Sequence, residues 1–304
     1  MKILITGGAG FIGSHIQDGY IKAGHKVVVV DNLCAGNKKN LNSKSKFYKV
    51  DIASPKVKAI IKKEKPDIIS HHAAQIDVRK SVADPIWDAE VNILGIINLL
   101  EATREARVKK FIFASSGGAI YGDTKAIPTQ EGHLEQPASP YGIGKLTSEK
   151  YLDYYNLQYG LEYVALRYAN VYGPRQNSKG EAGVVAIFAD RILAGEQATI
   201  YGDGKNTRDY VFVEDIARAN VLAIKAKTGK YNIATSKETN INKIFDKIAK
   251  TAGVKTKPKY GPAKPGEQRR SCLDWSLAKK AFGWQPEVGI DEGIGRTVDW
   301  FRNH

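Results

Sequence analysis

Tyr141 and Lys145 are four residues apart, a spacing that places two side chains on the same face of a helix. A nearby ammonium favours the phenolate, so such a pair can convert a tyrosine, whose pKa is ordinarily about 10, into a base. Four Tyr/Lys pairs with this spacing occur in the sequence, so the spacing alone decides little. Among these tyrosines only Tyr141 follows a Ser-Pro helix start, and we therefore predict that it is the base.

A run of serine and glycine at 115–122 leaves a predicted strand. In a doubly wound sheet the site lies at the carboxyl ends of the strands, so this run should approach Tyr141. A hydroxyl from Ser115 or Ser116 could then hydrogen-bond the substrate oxygen that Tyr141 deprotonates. The competing interpretation is an ordinary serine/glycine turn.

Three glycines, Gly7, Gly10 and Gly13, follow the first predicted strand and open a helix. Backbone N–H groups at a helix start bind a pyrophosphate, and a Cβ atom there would block its approach. Asp31 closes the second predicted strand, at the distance where an acid binds the adenosine ribose hydroxyls. Because a carboxylate would repel a 2′-phosphate, the cofactor is predicted to be NAD rather than NADP. The alternative is a tight turn followed by a solvated aspartate.

The first 170 residues alternate short apolar runs with stretches of helical periodicity. The four valines at 27–30 lack polar alternation, which indicates a strand buried on both faces and therefore a parallel sheet. The intervening stretches are long enough for the crossover helices that parallel strands require. Strands are predicted at 2–6, 26–30, 47–50, 67–71, 110–115 and 163–168.

The strict alternation ends after Pro174. Helices are predicted at 183–194, 213–225, 240–251, 275–281 and 289–301, with a short strand at 199–201. The predicted fold class is therefore α/β: a doubly wound parallel sheet of the Rossmann type over residues 1–172, followed by a smaller mixed α/β C-terminal domain over 173–304. We expect some crossover of the chain between the two domains.

Composition excludes several classes of protein. The 304 residues are 42% hydrophobic and 26% charged, as in globular proteins and unlike disordered or fibrous chains. Two cysteines, Cys34 and Cys272, argue against a disulfide scaffold and for a cytoplasmic location. We expect no membrane association, because there is no apolar run of about 18 residues and no signal peptide pattern.

The net charge of +14 has two explanations: nucleic-acid binding, or a lysine-rich solvated surface around a site for an anionic small molecule. The lysines are scattered rather than gathered in one stripe with aromatic residues, so no nucleic-acid partner is expected. No metal site is expected either, because His71 and His72 alternate on a strand and the usual metal-binding spacings are missing.

Nine motifs together resemble those of one enzyme family. They are GGAGFIG (7–13), DNL (31–33), HHAAQIDVRKSVADP (71–85), NILGIINLLEA (92–102), SSGGAIYGD (115–123), SPYGIGK (139–145), RYANVYGPRQ (167–176), YGDGKNTRDYVFVEDIA (201–217) and FGWQP (282–286). Over essentially its whole length the chain resembles the extended short-chain dehydrogenases/reductases, and among them the UDP-glucose (UDP-galactose) 4-epimerases and their sugar-nucleotide relatives.

The resemblance implies a set of NAD contacts along the carboxyl edge of the sheet. Lys145 would hold the nicotinamide ribose, and Asn92 would support the active-site helix. The full implied set is Gly7, Gly10, Phe11, Ile12, Gly13, Asp31, Asn32, Asp51, Ile52, Ala73, Ala74, Asn92, Tyr141, Lys145 and Tyr168. For the catalytic hydroxyl, the family's usual position is occupied by Gly117, so the resemblance favours Ser116, with Ser115 in reserve.

The resemblance also implies contacts to a UDP-sugar. Asn170 would bind the diphosphate and Arg208 would grip a phosphate, as an arginine can do bidentately. A second family arginine and its neighbouring acid are replaced by Lys264 and Glu267, and Arg269 and Arg270 could compensate. The full implied set is Asn170, Val184, Tyr201, Arg208, Lys264, Glu267 and Ser271.

The implied reaction is inversion at C4 of a UDP-hexose. Related dehydratases and decarboxylases carry an acid two residues before the tyrosine of the YG motif, where this chain has Ala119. Small Ser271 stands where the family gates the sugar's 2-substituent, so N-acetylhexosamine forms should fit as well. The alternatives are a uronate 4-epimerase, a dehydratase, a reductase, and a non-catalytic NAD- or RNA-binding protein.

The resemblance further implies a homodimer. In this family the helices corresponding to 92–106 and 141–159 usually pair between subunits. Tyr151, Tyr154, Tyr155 and Tyr159 offer aromatic contact area there. The alternative is that these tyrosines pack internally against the sheet.

Overall fold

The structure is a computed structural model that describes residues 1–179, 183–263 and 268–304. Seven parallel strands form its large sheet, in the spatial order β10-β6-β5-β4-β1-β2-β3 once they are numbered along the chain. They are β1 (Lys2–Thr6), β2 (Lys26–Asp31), β3 (Lys46–Lys49), β4 (Ile68–His71), β5 (Lys110–Ser116), β6 (Glu162–Tyr168) and β10 (Gly229–Ile233).

Helices cover both faces of this sheet, which is why its central strands are apolar throughout. On one face α1 (Phe11–Lys22) and α9 (Val213–Ala223) pack over Val27 and Val29. On the other, α2 (Lys56–Glu64), α5 (Gly95–Glu105) and α7 (Pro140–Tyr159) pack over Val28 and Val30. The doubly wound fold that the valine run predicted is confirmed.

The six predicted strands of the large sheet all occur, with ends within one residue of the prediction. The seventh, β10, comes from beyond residue 172 and pairs with β6 in parallel register, Gly229 opposite Val164. Helix α9 also comes from beyond residue 172 and packs on α1. The chain thus returns to the large sheet after it has begun the smaller part.

Short helices connect the strands near the carboxyl edge of the sheet. They are α3 (Val78–Ala83), α4 (Pro85–Ala89) and α6 (Gly117–Ile120), with a π-helical turn at Glu90–Leu94 and a 3-10 turn at Lys38–Asn40. The helix α4 and the π-helical turn both contact α7. They therefore form the wall against which the long helix lies.

The smaller part of the chain has its own sheets and core. The strand β9 (Thr207–Phe212) pairs with β7 (Asn170–Tyr172), β11 (Glu238–Asn240) and β13 (Arg270–Ser271), and β8 (Thr199–Tyr201) pairs with β12 (Lys259–Gly261). Phe188 and Phe245 are central to its core, which lies between the helices. These are α8 (Val184–Leu193), α10 (Ile241–Ala252) and α12 (Ile290–Asn303), whereas α11 (Ser276–Phe282) packs on β10 of the large sheet.

The helices predicted in this part all occur, with ends within two residues of the prediction. In the ranges that the structure describes, no helix combines the length and the apolar character needed to cross a membrane.

Candidate active site

The helix α7 begins with strong capping signals. The side chain of Ser139 accepts a hydrogen bond from the backbone N–H of Gly142 at 3.2 Å, and Pro140 occupies the first turn. Tyr141 and Lys145 follow one turn apart, on the side of α7 that contacts β5. The Lys145 Nζ atom lies 5.8 Å from the centroid of the Tyr141 ring and donates a 2.9 Å hydrogen bond to the Ala114 carbonyl.

Burial dominates the electrostatics of this pair. It lowers the pKa of Lys145 to about 8, against the opposing charges of Asp88 and Glu149. It raises the pKa of Tyr141 to about 12; a hydrogen bond with Ser116 acts in the opposite direction. Proximity to Lys145 was expected to lower the Tyr141 pKa, but the cost of burying a phenolate is the largest effect and raises it.

The two candidate serines have different partners. The side chain of Ser116 faces that of Tyr141 and acts to lower its pKa. The hydroxyl of Ser115 donates instead to Glu149 Oε1 at 2.6 Å, inside the protein. Tyr141 and Glu149 lie about two turns apart on α7, so the two serines face different turns of the same helix.

Behind Ser115 lies a fully buried ion pair between Glu149 on α7 and Arg167 on β6. Two hydrogen bonds of 2.6 and 3.0 Å join their side chains. Arg167 also donates to Glu135 at 2.7 Å and to the Tyr121 hydroxyl at 2.7 Å. This network ties α7 to the carboxyl ends of β5 and β6, where Tyr141 and Ser116 meet.

The glycines after β1 form a loop that fits closely against neighbouring backbone. Gly7 has a left-handed φ of +71°, and a Cβ atom there would lie 2.6 Å from the Ala73 nitrogen. A Cβ atom on Gly13 would lie 2.2 Å from the Gly7 carbonyl oxygen. Gly10 caps α1 without a side chain, so no side chain covers the start of that helix.

The acid after β2 lies beside this loop. Asp31 accepts hydrogen bonds from the backbone N–H groups of Ala9 at 3.0 Å and Leu33 at 2.8 Å. Asn32 donates to Asp51 at 2.7 Å. The ends of β2 and β3 thereby bring these predicted cofactor residues together.

Other predicted cofactor residues adjoin the same edge through their backbones or lie in the core. The backbone N–H of Ala73 donates to the Thr6 hydroxyl at 3.3 Å, and Ala74 follows it in the same segment. Phe11 and Ile12 are half-buried in the first turn of α1. The side chain of Ile52 is buried in the core under α5, so only its backbone is left for a ligand.

Asn92 lies in the π-helical turn and is held from both sides. Its side chain exchanges hydrogen bonds with the backbone of Gln75, at 2.9 and 3.0 Å. Its carbonyl oxygen accepts from the hydroxyl of Ser148 on α7 at 3.2 Å. The predicted supporting role of Asn92 therefore agrees with its contacts to the segment after β4 and to α7.

Tyr168 does not lie with the other predicted cofactor residues at the edge of the sheet. Its side chain is buried, and its hydroxyl accepts a 2.7 Å hydrogen bond from Asn220 of α9. Because that contact lies inside the core on the α1 side of the sheet, the hydroxyl is directed away from Tyr141. The sequence could not reveal this, since Asn220 is 52 residues away.

On the substrate side, Asn170 and Ser271 converge on the turn that follows Ser116. A Cβ atom on Gly118 would lie 3.9 Å from both the Asn170 Oδ1 and the Ser271 Oγ atoms. Arg208 lies opposite Ser271 in the parallel pairing of β9 and β13, and it donates to the Thr207 carbonyl at 2.8 Å. These predicted substrate residues thus lie around the serine/glycine turn.

Val184 and Tyr201, two further predicted substrate residues, are not gathered there. Val184 starts α8 and packs against the core of the smaller part. Tyr201 is 44% exposed on β8 and lies beside Gly261. Lys264 and Glu267 lie outside the described residues.

The two arginines considered as substitutes for the missing family arginine both have carboxylate partners. Arg269 forms two hydrogen bonds to Asp203, at 2.9 and 3.0 Å. Arg270 forms two to Glu238, at 2.9 and 2.5 Å. In this structure both guanidinium groups are thus engaged in the protein's own ion pairs.

A glycine loop at a helix start, an acid after the second strand and a Tyr/Lys pair with a buried lysine thus lie along one edge of a parallel sheet. The profile of the NAD dependent epimerase/dehydratase family matches residues 3–234 of this chain. The chain belongs to this family.

Solved structures of this family superpose closely on the chain. The UDP-glucose 4-epimerase of Thermotoga maritima, solved with UDP-glucose, is 47% identical with a TM-score of 0.98, over 100% of this chain and 99% of the other. The UDP-glucose 4-epimerase of Thermus thermophilus, in complex with NAD, is 44% identical with a TM-score of 0.95, over 99% of each chain. A UDP-N-acetylglucosamine 4-epimerase from Methanobrevibacter ruminantium is 36% identical with a TM-score of 0.94, over 99% and 97%.

The cofactor of the family is NAD, and the residues of the edge fit it. At Gly7 and Gly13 any side chain would collide with backbone. Glycine at these positions lets the loop pack closely, so that a pyrophosphate can approach the start of α1. Asp31 is buried beside that loop, where an acid suits ribose hydroxyls. Among the described residues, no three His, Cys, Asp or Glu side chains are grouped as a metal site.

The sequence analysis missed several residues that position the site in this family member. Asp88 and Gln75 bond to Asn92, Glu149 bonds to Ser115, and Asp209 accepts hydrogen bonds from Thr235. Asp88 was detectable as a polar residue one turn before Asn92 in a helical pattern. The others depend on contacts between distant segments and leave no local signal.

Proposed function

We propose that this chain is an NAD-dependent epimerase that inverts C4 of a UDP-hexose, interconverting UDP-glucose and UDP-galactose. The observation that carries the proposal is Ser116 facing Tyr141 beside buried Lys145, in a turn that has Gly118 and Ala119 instead of a carboxylate. Full-length relatives at 44–47% identity that are named UDP-glucose 4-epimerase support the same reaction.

The residues of the chain divide the proton chemistry among them. Tyr141 takes the proton of the C4 hydroxyl through its own oxygen and returns it after inversion, with Ser116 as hydrogen-bond partner at the same oxygen. The ammonium of Lys145 favours the phenolate that the transfer requires. NAD, when bound, accepts the C4 hydride and gives it back to the other face of the 4-keto sugar, so that no net oxidation results.

The sugar must turn over between the two hydride transfers, and the small residues around the turn support this. Gly118 has no side chain and Ala119 has only a methyl group. Ser271 of β13, which faces Gly118, is small as well. Asn170 and Arg208 are placed to retain the diphosphate while the sugar moves. The same space suits an N-acetyl group, and the 36% identical UDP-N-acetylglucosamine 4-epimerase favours this second substrate class.

A dehydratase is the principal enzymatic alternative. Elimination requires a second proton carrier near the sugar, and the turn from Ser116 to Tyr121 contains no acidic residue. Among the described residues, Asp88 and Glu149, two buried carboxylates beside α7, are already bound to protein groups. An epimerase needs only one base and a hydride acceptor, so the residues of this site fit epimerisation better than elimination.

The test is turnover of UDP-galactose by the purified protein without added NAD, with UDP-N-acetylgalactosamine and UDP-glucuronate assayed in parallel. We expect UDP-glucose to form, because an epimerase regenerates and retains its cofactor. Tyr141→Phe should lower kcat by about 100-fold or more while leaving the fold intact. A stable keto product, or no turnover even with NAD supplied, would contradict the proposal.

We further propose that the protein is a cytoplasmic homodimer, paired through α5, α7 and the elements beside them. Large apolar side chains are exposed on this side, among them Ile86 at 73% and Leu157 at 80%. Tyr154 and Tyr159 are half exposed there, whereas Tyr155 is buried and bonds to Glu101.

Sedimentation at micromolar concentration tests the dimer. Leu157→Lys should yield a monomer, whereas Leu134→Lys, an equally drastic change at an exposed leucine in the loop before α7, should not. A monomeric wild-type protein would exclude the proposed pairing.

A further inference from the structure

Asp88 on α4 is a buried carboxylate beside the catalytic helix, only 1% exposed. Its Oδ1 atom accepts hydrogen bonds from Gln75 Nε2 at 2.8 Å and Asn92 Nδ2 at 3.0 Å. Its other oxygen faces α7, since a Cβ atom on Gly144 would lie 3.5 Å from Oδ2. A buried carboxylate is costly to keep, so one that has only amide donors within bonding distance calls for an explanation.

The charged and titratable groups around Lys145 supply that explanation. They are Asp88 from α4, Glu149 and Tyr141 from α7, and His71 and His72 from β4. Burial lowers the pKa of both histidines, to about 3 for His72, so neither carries charge near neutral pH. Tyr141 is also neutral near pH 7, because burial raises its pKa to about 12. Two carboxylates therefore remain as counterions for Lys145.

Of these two carboxylates in the described part of the chain, Asp88 acts more strongly on Lys145. Glu149 also interacts with the guanidinium of Arg167, through hydrogen bonds of 2.6 and 3.0 Å. Asp88 has no such partner among the described lysines and arginines, and the charge that acts on it is that of Lys145. The negative charge of Asp88 is therefore available to the ammonium.

We propose that Asp88 is a positioning residue that keeps Lys145 in its ammonium form and fixes the turn of α7 that presents Tyr141. Through Asn92, whose carbonyl accepts from Ser148, the same carboxylate ties α4 and the π-helical turn to α7. The inference rests on the proposed roles of Tyr141 and Lys145 in epimerisation.

The consequence is a specific dependence on pH. The charge of Asp88 raises the pKa of Lys145 and also that of Tyr141. Replacing it with a neutral amide lowers both, so the ammonium is lost at a lower pH and the phenolate forms at a lower pH. The whole pH profile of kcat should then move towards acid, which a purely structural defect would not cause.

The experiment compares Asp88→Asn, Asp88→Glu and the control Asp84→Asn. Asp84 is an exposed residue that caps α4, so its amide variant removes one charge without touching the site. We expect Asp88→Asn to shift the kcat profile by about one pH unit towards acid, as expected for loss of a nearby charge. Asp88→Glu and Asp84→Asn should keep the wild-type profile. A uniform fall in kcat at every pH for Asp88→Asn would overturn the proposal.

A second readout does not depend on activity. In protein labelled with ¹³C at lysine Cε, the Lys145 signal is assigned by its loss in Lys145→Arg and titrated in wild type and variants. Its midpoint should fall in Asp88→Asn only. If the Asp88 variants do not fold, the wild-type titration still decides, because a neutral Lys145 at pH 7 would overturn the proposal. If no UDP-sugar is turned over, this titration still tests Asp88 separately from the proposed reaction.

Discussion

Ser115 and Ser116 are adjacent in the chain, yet their side chains face different turns of α7: Ser115 donates to buried Glu149, and Ser116 faces Tyr141. The end of β5 thus separates a hydroxyl bonded inside the core from the one to which we assign a catalytic role. The family resemblance favoured Ser116, and this geometry supports that choice with a physical reason.

The two alanine variants should separate these roles. Ser116→Ala should lower kcat on the order of 100-fold, the usual effect of removing a preorganised donor, with little change in stability. Ser115→Ala should retain most of kcat but lower the free energy of unfolding by about 1–3 kcal/mol, because a buried acceptor of Glu149 loses its donor. Urea unfolding and steady-state kinetics on both variants provide the measurement. The reverse pattern would identify Ser115 as the catalytic hydroxyl.

The glycine loop predicts the behaviour of a second pair of variants. Gly13→Ala places a methyl group 2.2 Å from the Gly7 carbonyl, so the loop must shift and NAD affinity should fall by at least about 10-fold. Gly295→Ala, in a helix where the added methyl meets nothing within 4 Å, is the matched control and should bind NAD normally. Calorimetric titration of the NAD-free proteins measures both affinities. Equal Kd values would show that the loop does not bear on the cofactor.

Local patterns explain which parts of the fold could be predicted. The apolar run of β2 and the Ser-Pro start of α7 are determined by neighbouring residues, and both elements occur where predicted. The position of β10 was not predicted, because its pairing with β6 joins segments about 65 residues apart. Its sequence, with polar residues among a few apolar ones, gives no sign that it forms an edge strand of the large sheet.

The same contrast between local patterns and contacts of distant segments applies to the candidate site. The spacing of Tyr141 and Lys145 is a helical relationship and was visible in the sequence. The burial of Tyr168 against Asn220 and the ion pairs of Arg269 and Arg270 depend on residues from distant segments. Sequence reasoning could place these side chains near the site, but it could not tell which way they point.

The depressed pKa of Lys145 makes a prediction about stability. In the folded state the group titrates at about 8, against about 10.4 in an unfolded chain. Between these values the unfolded chain binds the proton and the folded chain does not, so this group's contribution to stability rises with pH across the window. The cost of burying the ammonium is present at lower pH and is relieved above pH 8.

Melting temperatures of the NAD-free protein between pH 7 and 10 check this prediction. The difference between wild type and Lys145→Met should change in favour of wild type as the pH rises. Lys243→Met, at an exposed lysine of α10, should show a constant difference from wild type. A constant difference for Lys145→Met as well would mean that Lys145 is not depressed by burial.

The last prediction concerns the choice of sugar. Ser271 is a small residue beside the turn. A Cβ atom on Gly118 would lie 3.9 Å from the Ser271 Oγ atom and 3.9 Å from the Asn170 Oδ1 atom. A tyrosine at 271 would occupy the space over this turn, so Ser271→Tyr should lower turnover of UDP-N-acetylglucosamine by at least about 10-fold, as steric exclusion does. UDP-glucose, which lacks the N-acetyl group, should be converted within about threefold of the wild-type rate. Ser271→Ala, which keeps the residue small, is the control and should accept both substrates. Unchanged UDP-N-acetylglucosamine turnover in Ser271→Tyr would show that the 2-substituent does not face β13.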